Sequence, residues 1–295
     1  MNILLFGKNG QVGWELQRAL APLGHLIVVD RHSSDFCGDF ENPTGLAETV
    51  RRIKPAVVVN ATAYTAVDKA ESEQDKARLV NATSIEALAR VTEEMGAWLI
   101  HYSTDYVFDG SGNQPWREED NTAPLNTYGQ TKLEGEQAIV RTMTKYLIFR
   151  TSWVYAAKGN NFAKTMLKLA KERDSLAVIN DQFGTPTGAE LIADCTAHAI
   201  RVALNKDNIA GIYHLIASGE TTWHAYASKV IEFAKQQGVE LSVQVINPVP
   251  TSAFPTPAKR PANSRLNIEK FQKTFDLTLP DWTLGVERML LETLK

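Results

Sequence analysis

Ile3-Leu4-Leu5-Phe6-Gly7-Lys8-Asn9-Gly10-Gln11-Val12-Gly13 runs a short apolar stretch straight into glycines at every third position. The apolar run is too short for an independent helix and reads as a buried strand. Helical periodicity follows over 12–21. Glycine where a strand meets a helix permits a tight turn and a close backbone approach to a ligand. The helix beyond offers unpaired N–H groups and the positive end of its dipole, which together hold a pyrophosphate. A glycine pattern alone is a weak signal. The strand before it and the helix after it mark Gly7, Gly10 and Gly13 as a dinucleotide-binding turn.

Outward from that turn the same alternation repeats. Short apolar runs at 26–29, 56–59, 98–102 and 146–149 are separated by helical patterns at 45–53, 76–95 and 128–142. Strand and helix alternating in this way predict an α/β fold, a doubly wound, Rossmann-like parallel sheet. After about residue 153 the rhythm loosens. Helices are expected at 161–173, 189–204, 222–237 and 282–294, with strands at 176–180, 211–217 and 241–246. Residues 248–261 carry five of the twelve prolines and are expected to be a loop. The expected organisation is a dinucleotide-binding domain over 1–153 and a smaller α/β substrate domain over 154–295. The 211–217 strand is expected to return to the first sheet.

Composition narrows the function. Lys and Arg total 31 against 34 for Asp and Glu, giving a net charge of -3, without the basic footprint of a nucleic-acid binder. Two cysteines, Cys37 and Cys195, are too few for a disulfide scaffold and suit a reducing compartment. No apolar run approaches the roughly 20 residues that span a membrane. The N-terminus lacks the charged region and long apolar stretch of a secretion signal, so a cytoplasmic protein beginning at Met1 is expected.

The chemistry-bearing residues lie downstream. Asp30 closes the second strand about 20 residues past the glycines, where an acid holds the adenosine ribose hydroxyls. Arg31 beside it suits a 2′-phosphate, so NADH and NADPH both stay open. Tyr128 and Lys132, four apart at the start of a predicted helix, share one face. A nearby ammonium, together with the positive charge of the cofactor, favours phenolate, so Lys132 and the cofactor are expected to lower the Tyr128 pKa. Such a pair donates a proton to a carbonyl oxygen while hydride reaches its carbon. Thr104 ends the 98–102 strand at the carboxyl edge of the sheet, placed to bind the same oxygen.

In this order, Gly7, Gly10, Gly13, Thr104, Tyr128 and Lys132 resemble the extended branch of the short-chain dehydrogenase/reductase family. Asn81-Ala82-Thr83, the stretches 101–110, 124–129, 150–155 and 180–187, and Arg260-Pro261 carry the resemblance across nearly the whole chain. It implies reduction of the C4 keto group of dTDP-4-dehydro-L-rhamnose by NADPH or NADH, yielding dTDP-L-rhamnose for bacterial surface polysaccharide such as O-antigen. It also implies cofactor contacts at Gln11, Val12, Asp39, Phe40, Ala63, Tyr64, Thr65 and Tyr102, and sugar-nucleotide contacts at Thr104, Asp105 and Trp153. A homodimer bridged by structural Mg²⁺ through Glu15, Glu190 and Glu292 is implied too. Lys259, Arg260 and Arg265 flank the proline-rich loop, where either a substrate diphosphate or solvent would meet them. Of the rival reactions, dehydration needs a second carboxylate after the threonine, and Thr104-Asp105-Tyr106 lacks it. A sugar-nucleotide 4-epimerase, which consumes no NAD(P)H, and a non-catalytic cofactor-binding subunit remain as alternatives.

Overall fold

A computed structural model describes residues 1–206 and 208–294. The chain runs β1 (Asn2–Phe6), α1 (Gln11–Leu20), β2 (His25–Val29), α2 (Pro43–Ile53) and β3 (Val57–Asn60). Next come α3 (Val67–Ala70), α4 (Gln74–Arg78), α5 (Ser84–Glu94), β4 (Trp98–Thr104), α6 (Thr127–Thr142) and β5 (Tyr146–Thr151). The remainder holds β6 (Val154–Tyr155), α7 (Phe162–Glu172), β7 (Ser175–Ile179), β8 (Phe183–Gly184), β9 (Thr187–Gly188) and α8 (Ala189–Ala203). It closes with β10 (Gly211–His214), β11 (Thr221–Thr222), α9 (Trp223–Gln236), β12 (Val245–Val249), α10 (Glu269–Phe275) and α11 (Trp282–Thr293).

Six strands form one sheet in the order β10-β5-β4-β3-β1-β2, and every pairing in it is parallel. Side chains alternate between its faces, so both must be covered. Ile3 and Leu5 of β1 enter one core with Leu16, Ile192, Phe149 and Phe271. Leu4 and Phe6 enter the opposite core with Leu46, Val58, Leu88 and Ile139. This explains why the strands read as continuous apolar runs rather than alternating ones. The strand order reverses between β1 and β3, which opens a crevice at their carboxyl ends.

A second body is built on α7, α9 and α11 around Leu167, Tyr226, Val230, Trp282 and Leu290. Its small parallel pair, β7 with β12, packs on Ala227 and Ile231. The later half of the chain also serves the main sheet: β10 pairs with β5, and α8 and α10 cover one face.

Two expectations need correction. The helix expected over 76–95 is broken into α4 and α5 by a π-helical turn at Leu79–Thr83. The strand expected over 241–246 sits at Val245–Val249 and includes Pro248. Proline is tolerated there because β12 has a single partner and needs fewer N–H donors. The short helix α10 carried no expectation.

Candidate active site

The turn after β1 is built by close backbone approach. Gly7 has φ of 89°, and a Cβ on it would lie 2.8 Å from the Ala61 carbonyl oxygen. A Cβ on Gly13 would lie 2.0 Å from the Gly7 carbonyl oxygen, so α1 begins pressed onto the turn. Gly10 caps α1 without a side-chain hydrogen bond, which leaves the first N–H groups of the helix for a ligand. Gln11 and Val12 open that helix. Gly13→Ala forces the helix off the turn. The expected result is loss of NADP(H) binding by at least about tenfold, read by fluorescence titration, with circular dichroism unchanged. Unaltered affinity would remove the turn from the site.

Asp30 is partly withdrawn from solvent, which raises its pKa. Bonds from the His32 N–H and the Ser33 hydroxyl, with Lys8 at 3.8 Å, outweigh this and leave the carboxyl below its ordinary range. Asn9, from the glycine turn, donates to it as well. Arg31 is exposed. A Cβ on Gly38 would lie 2.6 Å from the Asp30 carbonyl oxygen, so the backbone entering Asp39 presses on the end of β2. Asp39 itself accepts from the Glu41 N–H, as a turn aspartate does. Phe40 is buried edge-on against Phe6 at 5.5 Å.

Beyond β3, the 63–65 segment is held by Asn81. Its side chain accepts from the Tyr64 N–H at 2.8 Å and donates to the Tyr64 carbonyl at 3.2 Å and to Thr131 at 3.1 Å. The π turn places this one residue between the β3 loop and α6, a device frequent at functional sites. Both backbone groups of Tyr64 are thereby used, and its hydroxyl bonds Glu73. Among the three expected contacts this favours Ala63 and the N–H of Thr65, whose carbonyl accepts from the Val67 N–H.

The start of α6 approaches the end of β4. Asn126 caps the helix through the Gly129 N–H at 2.8 Å and donates to the Lys259 carbonyl at 2.8 Å. A Cβ on Gly129 would lie 2.2 Å from the Tyr106 carbonyl oxygen, so only glycine allows this contact. Glycine inside a helix costs about 1 kcal/mol, here offset by the packing it permits. The approach brings Tyr128 onto Tyr106, ring centroids 5.8 Å apart, and onto the Thr104 hydroxyl. Thr104 also donates to Asp105 at 3.0 Å. Burial raises the Asp105 pKa to about 6 despite bonds from Ser264 and Thr104, and its Oδ2 has no partner.

Lys132, one turn on from Tyr128, is buried, and desolvation lowers its pKa to about 8. Its Nζ donates to the Tyr102 carbonyl at 2.7 Å and lies 3.1 Å from His101 Nε2. Lys132 is not among the groups that shift Tyr128 in the chain by itself. Desolvation, reinforced by Asp105 and only partly countered by Thr104, raises that phenol to about 12. Tyr102 turns its hydroxyl away, to Thr196 at 2.8 Å. Trp153 follows β5 with φ of 48°, strained for a tryptophan, and stacks on Trp223 with centroids 3.6 Å apart. Arg260 is locked bidentate on Asp68, at 3.0 and 2.9 Å, and Arg265 bonds Glu220.

His101, Asn60 and Asn81 received no role from the sequence. A polar residue inside an apolar strand was the available signal, because a buried imidazole requires a partner.

The expected metal site is not formed by one chain. Glu15, Glu190 and Glu292 do line one cavity beside Tyr155 and Met289. Arg18 lies 3.6 Å from Glu15, and Arg288 lies 3.6 and 3.7 Å from Glu190 and Glu292. Guanidinium groups among the carboxylates oppose a cation. Among the described residues no group of three or more His, Cys, Asp or Glu side chains is arranged to hold one. Nor is any helix there long and apolar enough to cross a membrane. Both cysteines are free; Cys195 is buried and Cys37 half-buried.

Comparison with known proteins agrees with this geometry. The RmlD substrate binding domain family matches residues 1–294. The dTDP-4-dehydrorhamnose reductase of Escherichia coli K12 is 69% identical over 292 residues, covering 99% of this chain and 98% of that one. The enzyme of the same name from Burkholderia thailandensis is 47% identical, covering 97% of each chain. The crystal structure of dTDP-4-dehydrorhamnose reductase from Bacillus anthracis in complex with NADP superposes with a TM-score of 0.89 at 34% identity, covering 99% of each chain. The chain belongs to the RmlD family, among the dTDP-4-dehydrorhamnose reductases.

Proposed function

We propose that the enzyme reduces the C4 keto group of dTDP-4-dehydro-L-rhamnose to dTDP-L-rhamnose with NADPH or NADH, with Tyr128 as the proton donor. The observation that carries this is the convergence of Thr104 and Tyr128 at the carboxyl end of β4, beside the crevice opened by the Gly7–Gly13 turn. The residues fit a dinucleotide: glycines leave a backbone cradle, the first N–H groups of α1 are uncapped, and the Thr62 hydroxyl near Gly7 is buried without a partner. Gly7, Gly10, Gln11, Val12 and Gly13 would hold the pyrophosphate and Asp30 the adenosine ribose. Arg31, exposed beside Asp30, would meet a 2′-phosphate. The 39–40 and 63–65 segments and Tyr102 would line the remaining length. When bound, the reduced nicotinamide supplies a hydride.

The chain's own residues supply the rest. Thr104 orients the ketone oxygen, and Tyr128 donates its proton to that oxygen as the alkoxide forms. The raised pKa of Tyr128 keeps it a phenol at neutral pH, which is the form a reduction requires. Lys132 binds the nicotinamide ribose. Asp105 and Trp153 contact the sugar nucleotide, with the body built on α7, α9 and α11 closing over it as the substrate-binding part. Strain at Trp153 supports its placement there. Homodimerisation through the face bearing Glu15, Glu190 and Glu292 is supported by their convergence, and burial that raises the Glu190 pKa points the same way. No step depends on Mg²⁺.

The test is to supply dTDP-4-dehydro-L-rhamnose with NADPH or NADH and identify the product by NMR. One equivalent of cofactor is expected to be oxidised per dTDP-L-rhamnose formed. Inversion at C4 of a dTDP-sugar that already bears a C4 hydroxyl, with no net cofactor consumption, would replace this reading with an epimerase. Binding of NADPH without any turnover would favour a non-catalytic subunit.

A further inference from the structure

We propose that Gly184 and Trp223 clamp the two faces of Trp153 and so make it bind the sugar by its edge, with the indole N–H donating to a sugar hydroxyl. The proposal deepens the reading that Trp153 contacts the sugar nucleotide and rests on it. Thr151 lies opposite Thr104 in the sheet, and Trp153 follows two residues later. Trp223 covers one face of the Trp153 indole, with ring centroids 3.6 Å apart and planes 14° from parallel. A Cβ on Gly184 would lie 2.6 Å from Trp153 Cε2 and 2.9 Å from both Cζ2 and Nε1. Cζ2 and Nε1 flank Cε2 on the rim, so a point outside the rim would be nearer to them. This point is nearer to Cε2, which places it above the ring. The atoms nearest to it all belong to Trp153. On the Trp223 side it would meet Trp223 first, so Gly184 covers the opposite face.

Both jaws come from one small unit. β8 and β11 are antiparallel partners with Thr221 opposite Gly184, and Trp223 opens α9 directly after β11. Trp223 is itself fixed: its Nε1–H donates to Gln182 at 3.1 Å, and its ring packs on Phe162 with centroids 4.5 Å apart. Thr222 caps α9 through the Ala225 N–H at 3.2 Å and donates to Asn180 at 2.7 Å. A ring gripped in this way sustains the φ of 48° that a tryptophan rarely adopts. The clamp leaves the rim of the indole open. Trp153 is partly exposed, and among the described residues its Nε1–H has no hydrogen-bond partner, unlike those of Trp116 and Trp223. An indole nitrogen only donates, and the hydroxyls of a sugar can accept. An open ring face would take any apolar sugar face, whereas one N–H at a fixed place selects an oxygen at one ring position. Gly184 and Trp223 are positioning residues, acting through Trp153.

NMR of the whole enzyme with labelled indole nitrogens reads the N–H signals of its six tryptophans, with that of Trp153 assigned by its loss in Trp153→Phe. With NADP present, dTDP-L-rhamnose should move the Trp153 signal downfield, and dTDP alone should leave it in place. An unmoved signal in enzyme saturated with dTDP-L-rhamnose overturns the proposal. An equal shift with dTDP overturns it too, by placing the acceptor on the nucleotide. Kinetics tests the clamp. Gly184→Ala pushes on the ring and should raise KM for the keto sugar about tenfold, the upper worth of one neutral hydrogen bond, with kcat little changed and NADPH affinity unaltered. Trp223→Leu should do the same, and Trp223→Phe, which keeps an aromatic face, should restore most of the loss. An unchanged KM in folded Gly184→Ala and Trp223→Leu overturns the clamp. If these variants fail to fold, the wild-type NMR decides. Trp153→Phe separates the two readings. A KM equal to that of the wild type removes Trp153 from the sugar site altogether, whereas a raised KM with an unmoved N–H signal removes only the edge-on binding.

Discussion

Replacing Tyr128 with phenylalanine should lower kcat by about 10²–10⁴ while the enzyme stays folded and KM changes little. The hydroxyl is the part that acts: it meets Thr104, and at neutral pH it carries its proton because burial raises its pKa to about 12. The ring stays in the variant, so its edge contact with Tyr106 is preserved. A steady-state assay with the keto sugar and NADPH measures the loss. The competing donor is Asp105, whose buried Oδ2 has no partner and whose pKa burial raises to about 6. Because that value is raised, Asp105 carries a proton mainly below pH 6 and loses it above. If Asp105 were the donor, Tyr128→Phe would retain full kcat and its activity would fall as pH rises through about 6. A large loss that is flat across this range assigns the proton to Tyr128.

The elements that decide the fold were legible because each states one physical requirement locally. β1 is apolar on both faces because both are covered, and the glycines after it mark backbone contacts that a Cβ would block. The Tyr128–Lys132 spacing predicted a shared helical face. It said nothing of where the tips of the side chains go. Lys132 turns to His101 and the Tyr102 carbonyl, both on β4, a contact about thirty residues away in sequence. For the same reason the spacing did not show how strongly burial by distant segments raises the Tyr128 pKa in the chain by itself. The π turn at 79–83 was invisible because its periodicity differs from that of an α-helix by a single residue. β12 was misplaced because prolines were taken to end a strand, a rule that weakens when one edge needs no donors. The three glutamates were grouped correctly at one cavity, but Arg18 and Arg288, which neutralise them, could be paired only in three dimensions.

Glu136→Gln should destabilise the enzyme by about 3–5 kcal/mol, the largest loss expected from a single conservative change outside the chemistry. Arg150 rises from β5 and Glu136 descends from α6, and both are essentially inaccessible to solvent. Two parallel bonds at 3.0 and 2.7 Å satisfy them, and the Arg150 guanidinium also lies 5.0 Å over the Phe108 ring. Neutralising the acid leaves a buried guanidinium without its counter-charge, and that uncompensated charge, more than any lost contact, sets the magnitude. Differential scanning calorimetry should record a fall of roughly 6–10 °C at about 2 °C per kcal/mol in a chain of this length. The double variant Glu136→Gln with Arg150→Met removes the stranded charge and should recover much of the loss. If the single variant is as stable as the wild type, the pair does not hold α6 to the sheet. The catalytic helix would then be positioned by Asn126, Gly129 and Asn81 together with apolar contacts such as those of Leu133 and Ile139. Because Glu136 also favours the charged form of Lys132, the same variant should move the lysine midpoint to lower pH.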